Sequence, residues 1–544
     1  MLFAALVLAT GCTLVNLSRG PNQCGSDRDC TELGLRGALC SADGFCTGIE
    51  ASTGDSGSAS CRSNADCAQS SAVSGRGRCV QSQCVPLLSE DCFDAYGAVA
   101  RDDAMYVGAL VAQSGTTSAV SIDAQTAVAM GQAVNDFNGS LREGSGRPLV
   151  LVLCDETRDA RRAVRHLTGT VSTRAIVGPS LRESVGDLLA EAGDRTLFIS
   201  PNLDRQSELT QGGGRVWSLA LVRDGAAAQL ASAIAAMRTE IVQREPAFAS
   251  NPVLVVSQDR AASELAANAA VLPTSWRRIE TPDVFSSAAP VDYAEIIQRL
   301  STPSVERWVF GLAGGLRDFG RIVDQIENAR ISNWPGGRPK PYYLAWERSE
   351  LVETAAALGL TTAAPDGGAD PGSLPPWRRI LTFAAWRSAQ VTQFRDLIAS
   401  RVQRTFSRPI QEGVERAYDA TLLAALALNA SAAATAKSVE DVAPEDFQQA
   451  LVRFSSKSNA PRLIRIDDVS ALLDAARGPA PFDVYGASGE LDFEGESRAP
   501  VGDAALYCIE RNDERPKRVA YAPSGLRFAP KTGEAQGEFQ CVGW

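Results

Sequence analysis

Histidine is almost missing: His166 is the only one in 544 residues. That argues against Ser-His-Asp hydrolases, Cys-His proteases and multi-histidine metal centres, all of which need imidazoles at the reacting atom. His166 itself falls in the Arg-rich stretch DARRAVRHL and reads as a packing or surface residue. Lysine is scarce, with five among 53 basic residues. A basic excess is absent: 64 acids give a net charge of −11. Phosphate contacts need a basic face, so no nucleic-acid partner is expected. Long apolar runs are absent too, where a bilayer-spanning helix takes about 20 residues. The Ala-rich stretch 417–436 comes nearest, but Tyr418, Asp419 and Asn429 interrupt it, and it reads as a buried amphipathic helix. There is no P-loop and no G-x-S-x-G elbow (GASG at 486–489 is one residue short), and GLAGGLRDFG at 311–320 misses G-x-G-x-x-G spacing. Asp467-Asp468 reads as solvated surface. No enzyme activity, cofactor or metal is expected.

What is present is chain enough for several folded units. At ~150 residues per domain, two to four are expected. A mix of 45% apolar and 22% charged residues suits a soluble globular protein. The chain opens with a short apolar run, Leu2 to Ala9, too short for a bilayer and suited to the core of an export signal. Thr10-Gly11-Cys12 follows, and a small residue before a cysteine just after such a run resembles the bacterial lipobox. Ala9 stands where the lipobox usually has Leu, and no basic residue precedes Arg19. The resemblance implies a signal peptide over 1–11 and lipidation of Cys12. The protein would then be exported and lipid-anchored on the periplasmic or cell-surface side of a bacterial membrane.

Of 13 cysteines, ten lie in the first 92 residues. Eight form two similar units: Cys24-x5-Cys30-x9-Cys40-x5-Cys46 and Cys61-x5-Cys67-x11-Cys79-x4-Cys84. GSDRDC in the first matches RSNADC in the second. Each unit is too small for a hydrophobic core, so disulfides must hold it. Four cysteines allow three pairings per unit, and spacing does not choose among them. Only the Cys79–Cys84 gap suits a zinc knuckle, and export argues against zinc. IEASTGDSGSAS, residues 49–60, is a flexible linker between the units. Cys508 and Cys541 flank what reads as a C-terminal hairpin and are expected to pair, which leaves Cys92 for Cys154.

From Met105 the pattern becomes strand, loop, helix, repeated. Apolar runs bounded by turn residues read as buried parallel strands at 105–111, 148–154, 175–178, 196–200, 252–257, 307–313, 341–346 and 379–386. Helical patterns lie between them at 121–138, 159–171 and 225–243. This alternation predicts a doubly wound α/β architecture with ligands at the C-terminal ends of the strands.

Several pieces also resemble one family. They are YVGALVAQSG, AVAMGQAVNDFN, VLVLCDET, AIVGPSLRES, FISPNLDRQSELT, ERAYDATLLAALAL and YGASGELDFEGES, in that order from about 104 to 510. Together they resemble the type I periplasmic binding protein superfamily, in particular the leucine/isoleucine/valine-binding proteins of ABC importers. The resemblance implies a two-lobed doubly wound α/β fold with three crossovers, here preceded by small disulfide-rich modules over 12–92. It implies a two-lobed body at 93–510. Lobe one would take about 104–222 and 388–455, lobe two about 223–387 and 456–510. Residues 365–376 read as an inserted surface loop and 511–544 as a C-terminal extension.

The resemblance also implies a solute captured in the cleft and handed to an ABC permease; the alternative is a lipid-anchored sensor or receptor domain on the same fold. Ser114, Gly115, Ser180 and Ser184 match positions that hold a ligand carboxylate, although each serine also suits a helix cap. Glu347 matches the acid for a ligand ammonium, and Trp346 could wall the cleft. The family's S-P-x-A-T turn is Ser200-Pro201-Asn202-Leu203-Asp204 here, which brings Asn202 and Asp204 into the candidate site and removes a hydroxyl. The family's D-D-x-Y-G turn is Ser257-Gln258-Asp259-Arg260-Ala261, without its aromatic. These departures point away from leucine, isoleucine or valine and toward a more polar ligand, or a cleft partly retired.

Overall fold

A computed structural model describes residues 39–40, 46–47, 60–68, 70, 73, 75–112, 117–142, 146–179, 185–203, 206–220, 223–244, 253–257, 277–281, 309–313, 326–327, 341–346, 376–385, 395–402, 413–454, 462–493, 498–500, 502–511, 519–530 and 532–541. Strands β1 (Leu39–Cys40) and β2 (Cys46–Thr47) pair antiparallel, with Cys40 opposite Cys46. In the second Cys-rich unit, helix α1 (Asn64–Ala68) precedes a hairpin of β3 (Gly77–Val80) and β4 (Gln83–Pro86). Gln81 and Ser82, at φ of 50° and 62°, make the tight turn whose twist suits a hairpin. Disulfides Cys61–Cys79 and Cys67–Cys84 staple that hairpin to α1 and the residues before it.

The first lobe carries β5 (Cys92–Gly97), β6 (Met105–Val111), β7 (Leu149–Asp155), β8 (Ala175–Val177), β9 (Leu197–Ser200) and β10 (Val216–Ser218), in the order β10-β9-β8-β6-β7-β5. Neighbours are parallel except β5, which runs antiparallel along β7 and is bonded to it by Cys92–Cys154. β6 and β7 are buried at every residue, as strands covered on both faces must be. Helices α2 (Thr117–Gly139), α3 (Glu156–Arg165, prolonged by a π turn through Thr170), α4 (Val185–Ala192) and α5 (Gln206–Gln211) connect the strands.

Helix α6 (Arg223–Arg244) opens the second lobe. Its strands β11 (Val253–Ser257), β12 (Arg277–Thr281), β13 (Val309–Ala313), β14 (Tyr342–Trp346) and β15 (Ile380–Ala385) are parallel. The chain then returns. Ile398 and Val402, in the helical residues 395–402, join the first lobe's core. So do α7 (Val414–Thr435), α8 (Pro444–Arg453), β16 (Leu463–Arg465), α9 (Val469–Arg477) and β17 (Asp483–Tyr485). A third crossing leads into β18 (Ala504–Arg511), β19 (Val519–Phe528) and β20 (Ala535–Gln536). These extend the second sheet antiparallel, in the order β12-β11-β13-β14-β15-β18-β19-β20, and Cys508–Cys541 closes the tail onto it. The protein is thus α/β, with two doubly wound lobes and a small disulfide-rich unit ahead of them.

Each strand expected from an apolar run is present. By length and composition α7 could cross a membrane, but 83% of its most apolar window is buried inside the fold. Three boundaries differ from the sequence reading. The first lobe starts earlier, at β5, whose short run CFDAYG is broken by Asp94, ends in Gly97 and is mostly half-buried, so it carries no core-strand pattern. Residues 463–493, expected in the second lobe, pack Ile464, Leu472, Val484 and Leu491 into the first lobe's core. Within 511–544, expected as an appendage, Val519–Phe528 and Ala535–Gln536 belong to the second sheet, where Leu526 and Phe528 alternate inward against α6.

Candidate functional site

In a parallel sheet, the loops that leave adjacent strands meet along one edge, which is where ligands bind. In the first lobe that edge belongs to β6, β8 and β9, adjacent in the sheet. Ser200, fully buried at the end of β9, ties two of the loops together. Its Oγ donates to the Pro179 carbonyl at 2.7 Å and accepts from the N–H groups of Leu203 at 2.9 Å and Asn202 at 3.2 Å. Asn202 is thereby held on the edge, and its Oδ1 accepts from Arg416 Nη2 at 3.2 Å. Arg416 comes from the first turn of α7 and is only 8% exposed. Gly413 makes room for the pair. Its φ of 96° is left-handed, and a Cβ there would stand 3.0 Å from Asn202 Oδ1 and 3.1 Å from Arg416 Nη2. Beside it, buried Glu415 pairs with Arg395 at 3.3 Å, fastening α7 to the helical residues that follow the second crossing. The corner therefore combines a buried guanidinium with an amide, a donor set that suits a carboxylate.

A second anchor stabilises the same helix. Asp419, fully buried on α7, accepts from the N–H of Ala487 at 3.0 Å, the N–H of Ser488 at 2.7 Å and the hydroxyl of Ser488 at 2.6 Å. Burial outweighs these donors and pushes its carboxyl up to about 7. One residue earlier, the Tyr418 hydroxyl donates to Asp136 Oδ2 at 2.8 Å, and burial raises its pKa.

No protein-family model matches the sequence, and no curated protein does. Solved structures do. A periplasmic binding protein from Burkholderia mallei aligns over 81% of this chain and 99% of its own, at 15% identity and a TM-score of 0.54. A solute-binding protein of an ABC transporter from Rhodopseudomonas palustris, in complex with 3,4-dihydroxybenzoic acid, covers 81% and 99% at 10% identity and 0.52. The branched-chain amino acid transporter substrate-binding protein LivJ from Streptococcus pneumoniae, in complex with isoleucine, covers 77% and 99% at 13% identity and 0.50. The fold is that of the type I periplasmic binding proteins.

Within that binding-protein fold, Asn202 is the one expected ligand residue whose side chain is described. Trp346 ends β14, but its side chain lies outside the described residues, as do Ser114, Gly115, Ser180, Ser184, Asp204 and Glu347. Cys12, Cys24 and Cys30 also lie outside them. The sequence reading misses Ser200, Gly413, Arg416 and Asp419 as site-forming residues. Asp419 carried a signal, since an acid inside an apolar helix needs a buried partner. Nothing marked Arg416, because an arginine in a first helical turn usually reads as solvated. His166 is structural: its Nε2–H donates to the Leu87 carbonyl at 2.9 Å, and burial lowers its pKa. The sulfurs of Cys61, Cys67 and Cys84 lie within 4.8 Å of one another. Each is spent in a disulfide and offers no thiolate to a metal.

Proposed function

We propose that this chain is an extracytoplasmic solute-binding lipoprotein of an ABC-type importer, which captures an amino acid or similar small polar solute between its lobes. The observation that carries the reading is the Asn202–Arg416 corner at the ends of the first lobe's strands, in a binding-protein fold. A guanidinium fork can donate two parallel bonds to a carboxylate, so the corner favours an acid. Ser114, Gly115, Ser180 and Ser184 would add hydroxyls and backbone N–H groups to the same carboxylate. Asp204 would border it, while Glu347 would take the ligand ammonium and Trp346 would wall the cleft. The isoleucine and dihydroxybenzoic acid held by two of the solved structures are both carboxylic acids, which supports this class. Capture needs no covalent chemistry, and a lipid on Cys12 would keep the protein at the membrane near its permease.

A thermal-shift titration of the full chain tests the reading, with amino acids, their amides, hydroxybenzoates and sugars. At a hundredfold excess over Kd a true ligand stabilises by about 2.7 kcal/mol. An acid that shifts the melting temperature while its amide does not is the expected result. A sugar hit would keep solute capture and remove the acid corner; silence across the panel would remove both. A sensor domain is the second reading, favoured by a Cys-rich unit fixed to the first lobe through buried Asn64, a fixture that solute delivery does not require. Ligand-dependent uptake in vesicles carrying the permease separates the two.

A further inference from the structure

The second Cys-rich unit is fixed to the first lobe at the pole where the strands begin. Asn64 is 5% exposed. Its Nδ2 donates to the Arg101 carbonyl at 2.8 Å and the Tyr106 hydroxyl at 3.2 Å, and its N–H donates to Asp102 Oδ1 at 2.6 Å. Arg78 donates to the Val171 carbonyl at 2.6 Å and lies over the Tyr106 ring, 4.6 Å from its centroid. Arg76 pairs with Asp94. Other contacts serve the unit itself. Asn64 Oδ1 accepts from the Cys79 N–H at 2.7 Å, and Asp66 accepts from the N–H groups of Arg62 at 2.7 Å and Ser63 at 3.0 Å. The docking face thus donates, and the pole accepts.

The first unit keeps the internal residues and exchanges the docking ones. Aligned on the first two cysteines, Asp29 stands opposite Asp66, and Asp27 opposite Asn64. Counted back from the third cysteine, Gly37 stands opposite Arg76 and Leu39 opposite Arg78. A carboxylate at 27 retains the acceptor for its own hairpin and loses both amide donors. Against the Arg101 carbonyl it would set oxygen on oxygen, a buried clash of acceptors. Gly37 and Leu39 drop the ion pair and the guanidinium. The hairpin is retained, because Cys40 faces Cys46 across β1–β2 as Cys79 faces Cys84 across β3–β4. Directly opposed residues project to the same face, where two upstream cysteines can reach them.

We propose that the first unit is cross-linked Cys24–Cys40 and Cys30–Cys46, as a copy of the second that does not dock on the body. It is a separate head on the 49–60 tether, whose 12 residues span at most about 40 Å when fully extended. Each bond forms by thiol–disulfide exchange: two thiols give up two protons and two electrons, and a disulfide donor takes them up as two thiols.

Non-reducing peptide mapping of the full chain is expected to return those two pairs; either other pairing overturns the assignment. Docking is read by hydrogen exchange and size exclusion. Asn64→Asp/Arg78→Leu gives the second unit the first unit's residues. It is expected to raise exchange at residues 101–106 at least tenfold with Cys61–Cys79 and Cys67–Cys84 still formed, and unchanged exchange overturns the account of the face. With a protease site placed in 49–60, the cut first unit is expected to elute apart from the body, whose exchange at 101–106 stays the same. Co-elution after cutting overturns the separate head.

Discussion

Gly486 lies so near Asp419 that any β-carbon on it would stand 2.4 Å from the carboxylate Oδ2. The neighbouring N–H groups of Ala487 and Ser488 close on that same carboxylate, so the turn and α7 are fitted to each other. Gly486→Ala should force one of them aside and cost about 1–3 kcal/mol, as overpacking of a filled interior does. Urea unfolding measures it. A variant as stable as the parent would mean that the turn yields freely.

The same carboxyl makes stability depend on pH. Its folded pKa of about 7 exceeds the ordinary aspartate value. The folded chain therefore holds a proton that the unfolded chain gives up. This contribution is full below about pH 4 and is lost as pH rises through about 7, with a slope of at most ~1.4 kcal/mol per pH unit. Asp419→Asn should remove the slope while costing hydrogen bonds at every pH. Equal pH slopes in parent and variant would assign the effect to another group.

Arg416→Met should weaken an acid ligand by roughly 10–100-fold, the worth of a charge-assisted hydrogen bond, and leave its amide untouched. Arg416→Lys should recover only part, because an ammonium lacks the planar fork. Calorimetric titration distinguishes these outcomes. Unaltered acid affinity in both variants would put the guanidinium outside the ligand's reach.

In the second lobe, Arg379 Nη2 donates to Glu327 Oε2 at 2.6 Å, with the two side chains 7% and 6% exposed. The Tyr343 hydroxyl donates to the same carboxylate. Arg379→Met strands a buried charge and should cost about 3–5 kcal/mol. Glu327→Gln added to it should restore part of the loss. A double variant weaker than the single one would show that each partner acts alone.

The strands were legible because parallel strands buried on both faces leave unbroken apolar runs, as MYVGALV does in β6. β5 was not, since an edge strand shows water one side and needs no such run. The lobe to which 463–493 belongs could not be read either. Its apolar face fits any partner of matching shape, and α7 is chosen only in three dimensions. The candidate site was legible where a loop follows its strand, as at Asn202. It was hidden where the partner arrives from far along the chain, as Arg416 does.

Strand β6 joins opposite ends of the first lobe over seven residues, about 23 Å. Tyr106, at its start, lies under Asn64 and Arg78; Val111, at its end, reaches the edge where the loops of the candidate site leave the sheet. A lipid on Cys12 would therefore hold the molecule by its floor, with the mouth turned to the open compartment. Solute would enter without passing beneath the body. Delivery to a channel in the same membrane would require the whole body to tip over.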